Sequence, residues 1–246
     1  MIYETQALIL NTHKYGDTSI ICSLFTKDYG KISIISKGAR KIKNPNQAIL
    51  QPLNFIDLNF YFKPQRNIQI LKEASINKHF FNIKKSYQKF LYSFHIIDII
   101  NQICKVVNPN HIIFRLSKKV LKYINQNNEK LIPIYFIFFL LQLLKYLGYQ
   151  PILNHCNICN QNLISGIYCF NTGQLICSNC NNQSSSIKIN SIELQMLNNL
   201  YSTHIKKINI MNIQCNMNSA QKYLMSYLSF HLIDITKMKS LGLINK

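Results

Sequence analysis

The chain has 246 residues, 48% of them hydrophobic, which is enough for one large domain or two to three small ones and too apolar for a disordered chain. Its 28 Lys and Arg face only 9 Asp and Glu, and the formal charge of +19 favours an anionic partner: nucleic acid first, then an anionic membrane or ribosomal surface. A compositional reading competes, because only Arg40, Arg66 and Arg115 are arginine and Asn, Ile, Lys and Tyr are over-used, as AT-rich codons would produce. That bias leaves the scarcity of acids unexplained.

The opening decapeptide, MIYETQALIL, has neither a basic n-region nor a small-residue cleavage site. The most apolar run, IPIYFIFFLLQLL at 132–144, is too short to span a bilayer and is interrupted by Gln142, so it reads as a buried core helix. The expectation is a cytoplasmic protein with no membrane contact.

Residues 1–76 read as strands. IYETQALILN, SIICSLF and KISIIS are short runs rich in Ile and other β-formers, separated by the turn signals KYGD (14–17) and KDYG (27–30). LNFIDLNFYF (53–62) and NIQILKEA (67–74) continue the theme across KPQR. Five strands in about 75 residues suggest a small closed β-barrel, of which the OB-fold is the commonest solution. A generic barrel with no nucleic-acid role is the alternative. The segment KGARKIKNPNQ (37–47) carries Lys37, Arg40, Lys41 and Lys43, with Lys31 just upstream and no acid between Lys31 and Asp57. Gly38 and Pro45 mark it as a loop. A basic loop between barrel strands suits phosphate contact, with Lys14, Lys31 and Arg66 as neighbours; a solvated charge run is the competing reading. Tyr61 and Phe62 are candidates for base stacking, although half the strand aromatics must face the core.

The pattern turns helical near 79. Residues 84–107 place Phe90, Leu91, Phe94, Ile97, Ile100 and Ile103 at helical spacing, and Asn108-Pro109 ends the run. A second helix is expected over 112–126, with Leu116, Val120 and Ile124 on one face. A third is expected over 133–147, opened by Pro133 and closed by Gly148. Two more follow the cysteine-rich stretch, at 191–202 and 219–234, with Ser191 and Ser219 suited to their starts. The expected organisation is α+β: a barrel at 1–78, a helical domain at 79–152 and 187–246, and a metal-binding insertion at 153–186.

That insertion holds Cys156, Cys159, Cys177 and Cys180 in the pattern C-x2-C-x17-C-x2-C. Each CxxC turns two sulfurs toward one point, and two such knuckles complete the tetrahedron that a four-thiolate zinc site requires. His155 adjoins Cys156, and neighbouring residues rarely ligate one tetrahedral ion. Cys169 lies in the strand-like IYCFN and reads as a small packed hydrophobe. Buried or redox-active thiols are the alternative. Four protein ligands leave no open position, so one structural Zn2+ is expected and no activated water.

No P-loop, GxGxxG, GxSxG, HExxH or zinc-deaminase signature occurs, and the nine acids are scattered. Nothing here points to an enzyme, so no catalytic residue is assigned.

The string ALIL…KYGDTS…SLFTKDYGKISIISKGARK…LQPL…LKEA resembles the start of the bacterial RecO family of recombination mediators. The residues that carry the likeness are Tyr15-Gly16-Asp17, Phe25-Thr26, Tyr29-Gly30, Lys37-Gly38-Ala39-Arg40 and Leu50-Gln51-Pro52. LLKYLGYQPILNHCNIC (143–159), GQLICSNC (173–180) and KMKSLGLI (237–244) extend it in order across nearly the whole chain. The resemblance implies an N-terminal OB-fold, a helical domain and a zinc-stapled region. It implies a nucleoid-associated protein that binds single- and double-stranded DNA and anneals complementary strands. Its implied partners are RecR, the C-terminal tail of the single-strand-binding protein SSB, and RecF and RecA. In the basic loop, relatives often carry a further arginine and a serine where this chain has Lys41 and Asn44; lysine keeps the charge and loses bidentate phosphate geometry. The run at 134–144 is more apolar than in relatives. A nucleic-acid-processing enzyme with an OB-fold anchor and a zinc-ribbon adaptor acting through protein contacts remain the alternatives.

Overall fold

The computed structural model describes residues 1–104, 109–182, 186–210, 216–234, 238 and 240. They fall into two units, one over Met1–Asn125 that takes in Ser240, the other over Gln126–Met238. Asn108 and, Met238 and Ser240 apart, the stretch at 237–244 lie outside the described residues.

Five strands open the first unit: β1 (Ile2–Tyr15), β2 (Ser19–Thr26), β3 (Gly30–Ser36), β4 (Phe55–Tyr61) and β5 (Ile68–Lys78). They close into a barrel in the order β1-β2-β3-β5-β4. All neighbours are antiparallel except β3 and β5, which run parallel from Ser33 opposite Ile68 to Ile35 opposite Ile70. This is the expected OB-fold, with its β4 returning to β1, so that neither edge is left open. The strands form because aliphatic and aromatic residues recur at period two. Ala7, Ile9, Cys22, Leu24, Ile34, Ile56, Leu58 and Phe60 fill the barrel interior. The opposite faces are also apolar at one end. There Phe25 and Phe55 meet Phe114, with ring centroids 5.8 and 5.7 Å away, and Phe55 meets Phe80 at 5.7 Å. Each such buried ring contributes on the order of 2 kcal/mol.

The covering helices are α2 (Phe81–Lys85), α3 (Tyr87–Ile103) and α4 (His111–Gln126); a short α1 (Asn46–Ile49) sits between β3 and β4. Ser86 separates α2 from α3 and caps α3, its hydroxyl accepting from the Lys89 N–H at 3.3 Å. The expected continuous helix from 84 is therefore broken at its first turn. Lys118 of α4 donates to Gln6 and Asn77 of the barrel at 3.0 and 2.9 Å. The backbone N–H of Ser240 donates to the buried Asp98 at 2.7 Å.

In the second unit α5 (Ile132–Tyr146) is apolar all round, and every residue from Ile134 to Leu144 is buried. Such a helix needs cover on every side. It packs against α6 (Ser191–Ser202), α7 (Asn218–His231) and the 3-10 turn Ile205–Ile210. Gln142, its one polar interior residue, donates to the Tyr201 carbonyl at 3.1 Å. Among the described residues no helix is long and apolar enough to cross a membrane. The start of α6 is a capping box on Asn190 and Glu193, one residue before the expected Ser191. The buried Glu193 carboxylate also accepts the Ser219 and Ala220 N–H groups at the start of α7, at 3.1 and 3.2 Å. Ser219 itself is not the cap. One side chain thus satisfies the amino ends of two helices.

His95 gives the first unit a pH dependence. Burial in α3 disfavours the charged ring and pulls its pKa down from 6.5 to about 4. Between those values the unfolded chain binds the proton and the folded chain does not. Stability is therefore full above pH 6.5 and falls as the pH drops toward 4, by up to ~3 kcal/mol. Urea unfolding at pH 7, 5.5 and 4 should show this loss, and His95→Leu should flatten it.

Candidate nucleic-acid interface and metal centre

The loop after β3 is tightly organised. Ala39 is fully buried and anchors it to the barrel. The Arg40 N–H donates to the Thr18 carbonyl at 2.8 Å, and the Arg40 guanidinium donates to the Gly16 carbonyl in the β1–β2 turn. Beyond Arg40, the Lys41 N–H donates to Gly38, the Asn44 N–H to Lys41, and the Asn44 side chain to Gly38, all at 3.0–3.1 Å. Asn46 then ties back to Ser36 at 3.1 Å. Gly38 supplies a φ of 69°, and Lys43 adopts 72° despite its side chain, at a cost of about 1–2 kcal/mol.

This scaffold sorts the expected phosphate-binding residues. Lys14, Lys37, Lys41, Lys43 and Arg66 are exposed. Arg40 is half-buried, with one guanidinium nitrogen committed to Gly16, so it braces the loop. Lys31 donates to the Asn101 carbonyl of α3 at 3.0 Å. Lys41 and Lys43 share an open hollow of about 590 Å³ with Ile42, Pro45, Lys72 and Glu73. Lys31 and Arg66 line a second hollow, of about 450 Å³, with Phe62 and Gln69. Two pairs of the expected residues thus each share a hollow, while Lys14, Lys37 and Arg40 line neither of these two. Sequence reasoning missed Lys72. It lies on β5, 29 residues beyond Lys43, and only the parallel register of β3 and β5 brings it to the loop. Of the aromatic candidates, Tyr61 is exposed, while Phe62 packs on Tyr3 with centroids 5.1 Å apart.

The four cysteines converge in the second unit. Their Sγ atoms all lie within 4.8 Å of one another. A tetrahedral site with Zn–S bonds of about 2.3 Å has S···S edges of about 3.8 Å, and Cys159 and Cys177 are already 3.7 Å apart. The first knuckle is Cys156–Cys159, where Asn160 takes a φ of 60° and its N–H donates to the Cys156 carbonyl at 3.0 Å. The second follows β6 (Gly166–Cys169) and β7 (Gln174–Ile176), which with β8 (Ser186–Ile189) form a small sheet in the order β7-β6-β8. The N–H groups of Cys177 and Ile158 point at the Cys156 sulfur, at 3.3 and 3.5 Å. Burial pushes the Cys156 thiol up, but these N–H groups and that of Cys159 outweigh it and bring its pKa down to about 6. Hydrogen bonding among the clustered sulfurs, led by Cys177, pushes Cys180 the other way, to about 12. Crowded thiols cannot all ionise without a cation between them. The donor set and its geometry thus fit one metal ion. His155 and Cys169 are not part of the cluster; Cys169 is buried beside it with Ile176.

Residues 1–80 match the family described as Recombination protein O N terminal, and residues 84–241 match that described as Recombination protein O C terminal. The chain belongs to the RecO family. DNA repair protein RecO of Alkaliphilus metalliredigens is 28% identical over 250 aligned positions that cover 100% of both chains. DNA repair protein RecO of Caldanaerobacter subterraneus subsp. tengcongensis is 26% identical, covering 93% of this chain and 92% of its own. That of Chlorobium limicola is 33% identical over 63% of this chain and 59% of its own. The barrel and its basic loop fall in the N-terminal match, and the cysteine cluster falls in the C-terminal one.

Gly173 turns the chain between β6 and β7, with a φ of 66° and an N–H donated to the Cys169 carbonyl at 2.9 Å. A Cβ there would lie 2.4 Å from Cδ1 of Phe230. Gly173→Ala should destabilise the second unit by about 1–3 kcal/mol in urea unfolding. Adding Phe230→Ala should relieve the steric part and leave the backbone part.

Proposed function

We propose that the chain acts in DNA repair and recombination as a mediator without catalytic activity of its own. It binds single- and double-stranded DNA through the barrel and its basic loop and anneals complementary strands. With RecR it assists loading of RecA onto strands coated by SSB, recognising the SSB C-terminal tail and working with RecF. Family membership supports the repair and recombination role. The observation that carries the DNA-binding reading is the hydrogen-bonded loop on a closed OB barrel, which exposes Lys37 and presents Lys41 and Lys43 to solvent beside Lys72. A loop backbone already ordered by hydrogen bonds need not be ordered again when phosphates arrive, and each phosphate neutralised releases counterions. Lys14, and the Lys31–Arg66 hollow, offer further cationic surface with Arg40 bracing the turn between. Annealing needs two backbones screened at once, which more than one basic group permits. Several acids, meanwhile, serve structure: Glu193 caps two helices, Asp57 accepts from Gln6 and Asn77, and Asp98 accepts from Ser240.

Binding to a single-stranded oligonucleotide should weaken steeply with salt. Replacing Lys41, Lys43 and Lys72 together by Gln should flatten the log–log salt slope by about 2, near 0.7 per lost phosphate contact. An affinity that stays level from low to high salt, in a folded protein, would sink the DNA-binding reading. Annealing of SSB-coated complementary strands, with and without RecR, tests the mediator role.

In this reading Cys156, Cys159, Cys177 and Cys180 hold one structural Zn2+. Four thiolates leave no position for a reacting water, and the ion when bound supplies cross-linking free energy, on the order of 10 kcal/mol in small zinc-finger peptides. Elemental analysis should find one zinc per chain. Cys177→Ser should lower the unfolding midpoint of the second unit while leaving the salt slope of DNA binding unchanged. A folded sample with no bound metal would remove the assignment.

A further inference from the structure

The tip of the basic loop carries the most exposed large hydrophobic side chain among the described residues: Ile42 is 94% exposed. It stands between Lys41 and Lys43, both exposed. A single exposed isoleucine is ordinarily unremarked, because folded proteins show many. Three features set this one apart. The loop that carries it is rigid, held by the hydrogen bonds of Arg40, Lys41, Asn44 and Asn46 and by buried Ala39. The backbone at Lys43 is held in the left-handed region next to it, which a merely solvated charge run does not require. And Ile42 forms one wall of the hollow of about 590 Å³ whose other residues include Pro45 and Lys72. An apolar prong between two ammonium groups, with a cation-lined hollow at its side, has the chemistry of a wedge for nucleic-acid bases. The charges meet phosphates while the branched side chain enters the stack.

We propose that Ile42 inserts between adjacent bases of a bound strand, with Lys41, Lys43 and Lys72 holding the flanking phosphates and the hollow receiving the displaced base. Unstacked single strands give way at least cost, so the wedge favours them over intact duplex. Glu73, which accepts a hydrogen bond from Asn59 at 2.6 Å, lines the same hollow and keeps backbone phosphate from filling it. The proposal rests on the DNA-binding reading above, and its test separates the two.

The chain has no tryptophan, so Ile42→Trp places a sole reporter at the tip. Its emission should be quenched by a single-stranded oligonucleotide and left unchanged by heparin, a polyanion without bases. In the full chain, Ile42→Ser should bind the oligonucleotide about tenfold more weakly, with the same salt slope and the same heparin affinity, since no cation is lost. Ile42→Leu should restore binding. A 2-aminopurine within the strand should brighten on binding the parent protein and less on binding Ile42→Ser. If Ile42→Ser matches the parent and the emission of the Ile42→Trp variant is insensitive to the strand, while the lysine variants still lose affinity, the wedge is overturned and DNA binding stands. If the parent protein binds no oligonucleotide at all, both readings fall.

Discussion

The parallel pairing of β3 with β5 is the constraint on which the first unit depends. It closes the barrel, and it does so at the one place where two strands far apart in sequence must run in the same direction. Ile35 lies opposite Ile70, so the chain that leaves β3 into the basic loop runs alongside the chain that continues through β5 to Lys72. Without that register, Lys41 and Lys43 would stand on a solvated turn with no opposing wall. With it, they border a hollow built from both strands. The closure also explains why the loop can be stiff: Ala39 drops into the core that the pairing seals, and Arg40 reaches the turn that β1 and β2 must make.

Charge is divided by the fold into two kinds. Lys31, Lys84 and Lys118 donate to amide or carbonyl oxygens and fasten the helices to the barrel. Each of these lysines gives at least one hydrogen bond within the unit, and burial lowers the pKa of Lys84 and Lys118. Lys37, Lys41 and Lys43 of the loop are instead exposed to solvent, where a cation keeps its full reach toward a polyanion.

How much of this could be read from the residues depended on whether the cause was local. Period-two alternation marked the strands, and Pro133 with Gly148 bounded α5 to within a residue or so, because capping and turn chemistry act over a few positions. The paired CxxC spacing marked the sulfur cluster for the same reason. Nothing local marked Ser86 as a helix break inside an apolar run, or Glu193 as the anion at the start of α7, 25 residues downstream. The charge of Arg40 is visible in the sequence, whereas its carbonyl partner at Gly16 is set by how β1 and β2 turn. Lys72 was hidden by a register that only barrel closure defines.

The two units differ in what holds them together, and that difference bears on the cysteines. The barrel buries a continuous set of aliphatic and aromatic side chains and needs no cross-link. Around the knuckles Cys156, Cys169 and Ile176 are buried with Leu163 and Ile167 partly so, and the short three-stranded sheet also buries Leu175 and Tyr168, the latter against Tyr223 of α7 at 5.1 Å. Four sulfurs drawn within 4.8 Å, one of them receiving N–H groups, repel one another when ionised, so they cross-link the two knuckles only if a cation balances them. A cation held there would tie the Cys156–Cys159 turn to the Cys177–Cys180 turn, whereas the barrel and its loop derive their order from their own packing.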